Sequence, residues 1–211
     1  MFDRQLYKRI ALKQLNGRWK PAVLAVLLTL AIESILGIAI RKAELPAMCT
    51  IAVYIITFVM HMAIVKFFIT MSRTPESVPL SAWTEGFDMW AKAILTYSWM
   101  FLWVSLWSLL FIIPGIIKSY AYSFTPYIVA ENKNISVTKA LNVSKVMTNG
   151  HKMDLFVMDL SFLGWMMLAA LTGGIAFLWL APYMQLAHIN AFHDIKKQAL
   201  ERRLLKEDDF A

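Results

Sequence analysis

Residues 48–71 read MCTIAVYIITFVMHMAIVKFFITM, and in this run the only Asp, Glu, Lys, Arg or His residues are His61 and Lys66. An α-helix rises about 1.5 Å per residue, so roughly 20 such residues cross the ~30 Å of a bilayer's hydrocarbon. The run is longer than a soluble core helix requires, and it is read as a membrane-crossing helix. Upstream, residues 21–40 form a second run of the same kind, opened by Pro21 and preceded by Trp19 between Arg18 and Lys20. A Trp set among basic residues suits a membrane–water interface. Downstream lie residues 93–113, 116–130, 153–171 and 175–192. Pro114-Gly115 is expected to break the chain between the third and fourth runs, and Gly173-Gly174 to turn it between the last two. Pro182 falls inside the last run, where a kink is expected.

Composition agrees with this reading. The chain is 59% hydrophobic and 17% charged, against about half and about a quarter in soluble domains. Its 211 residues suit a single integral membrane domain. The net charge of +7 comes from basic residues flanking the apolar runs. That pattern points to anionic lipid headgroups at the cytosolic face and not to nucleic acid. With Cys49 as the single cysteine, no internal disulfide and no cysteine-based metal site is expected. The basic start followed by about 20 apolar residues exceeds a secretory signal's apolar core, so the first run is expected to be an uncleaved span.

Charge decides the orientation. With six crossings, 17 of the 21 Lys and Arg fall on the side of the N-terminus. Arg41, Lys42 and Lys118 fall on the other side, and Lys66 within a span. If residues 116–130 did not cross, eight would lie inside and 12 outside, against the positive-inside tendency. The expectation is an all-α, six-span bundle in the cell membrane. Both ends are then cytosolic, residues 1–20 form an amphipathic segment, and residues 193–211 form a basic tail.

Three cytosolic segments look amphipathic. Phe2, Leu6 and Ile10 share a face, as do Trp83, Phe87 and Trp90. The third is residues 136–148, with Ser136 as N-cap and Gly150 closing the end. It is expected to lie under the spans or on headgroups, with docking of a protein partner as the alternative.

Ionisable groups at depth mark candidate sites. Glu33 lies roughly 18 Å and His61 roughly 15 Å from the inner edge, and Lys66 and Asp159 roughly 8–9 Å. Glu33–His61 and Lys66–Asp159 are the expected pairs, with His188 and Asn190 near the second level. Lys118, Tyr120, Tyr122 and Tyr127 form a second group, read as headgroup contacts or as interfacial anchoring. No metal-binding spacing, nucleophile elbow, phosphate loop or dinucleotide fingerprint occurs. The expectation is therefore a non-enzymatic bundle, structural or regulatory, that needs no cofactor. A small carrier using Glu33, His61, Lys66 and Asp159 is the alternative.

Several motifs carry a family resemblance over nearly the whole chain. They are Leu15-Asn-Gly-Arg-Trp19, Pro114-Gly-Ile-Ile-Lys-Ser-Tyr-Ala-Tyr122 with Thr125-Pro-Tyr-Ile128 and Glu131-Asn132, and Ser144 with Met147 and Gly150. The block from Leu155 to Trp165 and that from Leu178 to Tyr183 complete the set. The chain resembles an uncharacterised family of bacterial multi-pass integral membrane proteins. It is distantly similar to the membrane domain of glycerophosphodiester phosphodiesterases, whose catalytic barrel has no counterpart here. The resemblance implies a multi-pass fold without an established substrate. Within the Leu155–Trp165 block, Ser161 and Gly164 are expected to let the fifth span pack closely on a neighbour.

Overall fold

The computed structural model describes residues 2–43 and 46–210. They form helices α1 (Arg4–Leu15), α2 (Trp19–Ala43), α3 (Ala47–Arg73) and α4 (Ser81–Thr84), then a 3₁₀ turn at Glu85–Met89. There follow α5 (Trp90–Leu110), α6 (Ile112–Tyr122), α7 (Thr125–Glu131), α8 (Val137–Met147), α9 (Lys152–Leu160), α10 (Leu163–Leu171), α11 (Phe177–Glu201) and a 3₁₀ turn at Glu207–Phe210. No strand occurs among the described residues. Four helical stretches are long and apolar enough to cross a membrane: Trp19–Lys42, Met48–Arg73, Ser81–Leu110 and Lys152–Leu171.

Local chemistry sets several helix ends. Asp3 Oδ1 accepts from the N–H groups of Gln5 and Leu6, both at 3.0 Å, and starts α1. Ser136 Oγ accepts from the Lys139 N–H and starts α8 as expected. Gly150 follows α8 at φ 86°, and Gly173 and Gly174 turn the chain at φ 64° and 89°, a backbone region open to glycine at little steric cost.

Elsewhere the structure corrects the expectations. The break after the third run lies at Phe111, which is extended (φ −157°, ψ 143°), and Pro114 and Gly115 sit inside α6. Pro114 is the third residue of α6, where a helix has no use for an N–H. Gly115 serves a close approach, since a Cβ there would fall 2.9 Å from the Ser108 Cα. Residues 116–130 are not one helix, because the chain bends at Ser123 and Phe124 between α6 and α7. Likewise Ser161 and Phe162 divide α9 from α10. The Trp83–Phe87–Trp90 segment is split among α4, the 3₁₀ turn and α5, with Trp83 buried and Trp90 60% exposed. The buried face of α1 is Tyr7, Ala11 and Leu15, one position around from Phe2, Leu6 and Ile10. Gly164 has no neighbour within 4 Å of a built Cβ, whereas at Gly86 a Cβ would meet the Ala63 Cα at 2.2 Å. The tight contacts are therefore at Gly86, against α3, and at Gly115, against α5, and not at Gly164. Residues 193–201 continue α11, and beyond them Leu205 and Phe210 are buried.

Burial is concentrated at one end of the bundle. The buried side chains of α2 are Ala22, Ala25, Val26 and Thr29, and those of α3 begin at Met60. In α5 only Ala93 and Thr96 are buried. The remainder of these helices presents large apolar groups outward, Met48 of α3 being 80% exposed and Leu109 of α5 87%, and Leu171 at the end of α10 is likewise 85% exposed. Continuous apolar surface of this kind marks a membrane-facing region. At the buried end, the start of α2 meets the end of α3, and α7 meets α11.

Candidate functional site

The residues singled out by depth fall into two clusters. In the first, His61 Nδ1 of α3 lies 3.3 Å from Glu33 Oε1 of α2, as the matched depths predict. The same nitrogen lies 2.9 Å from the Thr57 carbonyl oxygen. The imidazole also packs edge-on against the Tyr97 ring of α5, 6.0 Å between centroids.

The second cluster joins three helices. Tyr120 of α6 donates to Asp159 Oδ2 of α9 at 2.8 Å, and Asp159 Oδ1 lies 2.7 Å from His188 Nε2 of α11. The expected Lys66–Asp159 pair does not form. Lys66 Nζ donates instead to the Ala130 carbonyl at 3.0 Å. Ala130 belongs to the last turn of α7, whose carbonyls have no partner along their own helix.

The second sequence group is divided. Tyr122 and Tyr127 are buried. Tyr122 packs with Ala121 on Leu141 and Met100, and Tyr127 packs among Phe124 and Phe192. Lys118 Nζ sits 4.7 Å above the Trp107 ring and 5.9 Å from that of Tyr122, a cation–π arrangement.

A third assembly was not legible in the sequence. Glu131, at the end of α7, has a side chain only 7% exposed and pairs with Arg73 at the end of α3. It also accepts from His193 (3.2 Å) and Lys196 (2.6 Å) of α11. Burial by itself raises the pKa of this carboxyl. The hydrogen bonds from His193 and Lys196 and the charges of Lys196 and Arg73 outweigh it and bring the value to about 2. The next residue, Asn132, donates to the Phe210 carbonyl at 2.7 Å and ties down the chain's last turn. The only sequence signal was an acidic residue directly after an apolar stretch, inside a family motif. Its partners lie 58 to 65 residues away.

Similar ties hold the rest of this end. Arg18, expected as an interfacial flank, is buried. It donates to the carbonyls of Met71 (3.1 Å), Thr74 (2.5 Å) and Glu76 (3.2 Å), capping the negative end of α3. Burial lowers its pKa. Tyr7 donates to Asp194 at 2.5 Å, and its pKa is raised by burial first and then by that bond. Gln14 and Asn190 exchange amide hydrogen bonds (3.0 and 3.3 Å), and Gln14 also donates to the Ser72 carbonyl at 3.1 Å. On α8, the apolar face carries Ala140, Leu141, Val143, Ser144 and Met147, all buried within the chain. There Ser144 Oγ donates to the Ala121 carbonyl and accepts from the Phe124 N–H.

These features define an all-helical protein with apolar helices fit to cross a bilayer, tied together at one end by buried polar bonds. Its particular family is uncharacterised. A profile described as "Protein of unknown function (DUF975)" matches residues 1–118 and 108–199, and the chain belongs to that family. Neither a curated protein nor a solved structure matches the chain.

Proposed function

We propose that this is a non-enzymatic integral membrane protein of the cell membrane. It crosses six times with both termini in the cytosol and acts as a structural or regulatory bundle that recognises anionic lipid or a partner protein. The observation that carries this reading is that the ionisable side chains at depth turn toward partners in the chain itself. Glu33 faces His61, Lys66 meets the Ala130 carbonyl, and Asp159 meets Tyr120 and His188. Groups in such positions fix the register and rotation of neighbouring helices. Anionic headgroups suit the basic cytosolic segments. An apolar cleft of about 470 Å³, lined by Leu12, Trp19, Trp165, Trp179 and Tyr183, lies beside α1 for the attached chains. On α8, Thr138, Asn142, Lys145 and Val146 are the exposed residues for a partner protein.

Asp159→Asn tests this reading. A lower melting temperature in detergent, without any flux to lose in proteoliposomes, supports it. A variant that melts like the wild type but stops a wild-type ion or proton flux replaces it with the carrier reading. One observation favours that second reading. Asp159 Oδ1 and His188 Nε2 lie 2.7 Å apart, a separation at which a carboxyl and an imidazole can share one proton. Tags at the two ends test the topology, and an externally accessible C-terminus overturns the even number of crossings.

A further inference from the structure

The outer halves of α2 and α3 contribute no fully buried side chain to the bundle, although Phe58 stacks on Tyr97 of α5. From residue 30 of α2 to residue 42, and from residue 48 of α3 to residue 59, no side chain is buried. At about 1.5 Å per residue these stretches rise roughly 18 Å beyond the packed core. Most of what they show is apolar and is satisfied by lipid: Ile35 is 66% exposed, Ile38 53%, Ile51 59% and Tyr54 61%. Glu33 and His61 are the exception. The His61 side chain is 49% exposed and that of Glu33 23%, at a depth where hydrocarbon offers neither charge nor hydrogen bond. Their contact with each other is incomplete. Glu33 Oε1, enclosed within its own chain, faces His61 but receives no hydrogen bond, since the Nδ1 proton is on the Thr57 carbonyl. What a second copy can reach is the rest of the Glu33 side chain, which is 23% exposed overall. Nε2 of His61, on the far edge of the ring, remains available.

Resting on the membrane reading above, we propose that this hairpin is the contact surface for a second copy of the same chain, with Glu33 of each copy bound to His61 of the other. The complementarity is internal to the patch. It carries one carboxyl and one imidazole edge side by side, so a two-fold rotation about the membrane normal sets each opposite its counterpart. A single proton serves each pair, as carboxyl O–H donating to Nε2 or as Nε2–H donating to carboxylate. Exposed Tyr54, two turns outward of His61, extends the contact toward the hairpin tip. A partner of another kind would need its own acid and base at matching positions, whereas a second copy supplies both.

The lone cysteine makes the test direct, because Cys49 lies in the first turns of α3 at the outer end of this hairpin. The full chain is spin-labelled at Cys49, reconstituted in phospholipid vesicles at low protein density and read by pulsed dipolar spectroscopy. The expected result is one defined intermolecular distance whose amplitude falls when unlabelled chain is mixed in. Glu33→Gln and His61→Ala should each raise the protein-to-lipid ratio for half-pairing by about tenfold, the scale of an interhelical hydrogen bond. The exchange variant Glu33→His/His61→Glu should restore pairing, because it preserves the complementarity. A monomeric wild type overturns the proposal whatever the variants do, as does pairing that both single variants leave unchanged. These failures differ from failure of the membrane reading, in which the chain would leave the vesicle fraction altogether.

Discussion

At one end of this bundle, Glu131 sits among Arg73, His193 and Lys196 with 7% of its side chain exposed. At the other end, Leu109 and Leu171 are 87% and 85% exposed. The two regions obtain stability differently. The first is held by directional bonds: Arg18 on the carbonyls of α3, Lys66 on α7, Tyr7 on Asp194, and Gln14 between Ser72 and Asn190. Removing one partner there leaves a charge or donor buried without its complement. The second depends on its solvent, because helices in lipid gain little from hiding apolar side chains on one another. Substitutions should therefore be felt strongly at the first end and weakly at the second.

The largest expected effect is at Glu131. Glu131→Gln leaves three basic groups around a neutral amide and should destabilise the protein by about 3 kcal/mol, the low end for a broken buried pair because Arg73 is half exposed. Equilibrium unfolding in detergent measures it, and a loss below the noise of that measurement would make the two ends equivalent. The same carboxyl sets a pH dependence. Its pKa is held at about 2 against an ordinary 4.5. Its contribution is therefore complete above pH 4.5 and fades as the pH falls toward 2. The melting temperature of the wild type should drop over that interval, and the Glu131→Gln curve should lack this component.

Gly86→Ala comes next. A Cβ placed 2.2 Å from the Ala63 Cα forces the backbone of α3 to move, and about 2 kcal/mol of stability should be lost, as in other overpacked contacts. Ser136→Ala removes the N-cap of α8 and should cost about 1 kcal/mol. Gly164→Ala should change stability by less than about 0.5 kcal/mol, since a Cβ there meets no atom within 4 Å. A large effect at Gly164 together with a small one at Gly86 would reverse the contrast between lipid-facing and packed positions.

Length and polarity were readable along the chain. The run at residues 48–71, the Ser136 cap, the Gly173-Gly174 turn and the shared depth of Glu33 and His61 all appear in the structure where the sequence puts them. Each depends on a local quantity: the rise per residue, a single side chain bonding to its own backbone, or the φ range open to glycine. What the sequence left open was rotation and partnership. The buried face of α1 is one residue around from the expected stripe, Lys66 bonds a carbonyl in place of Asp159, and Gly86 takes the tight contact assigned to Gly164.

By itself, then, the sequence determined the length and polarity of the apolar helices, and where each polar group lies along its own axis. The tertiary structure alone decided that Glu131 gathers Arg73, His193 and Lys196, and that Tyr120, Asp159 and His188 converge from α6, α9 and α11. The reason is geometric. Depth follows from counting along one helix, whereas a meeting of side chains depends on the crossing and rotation of several helices at once, which only their mutual packing sets.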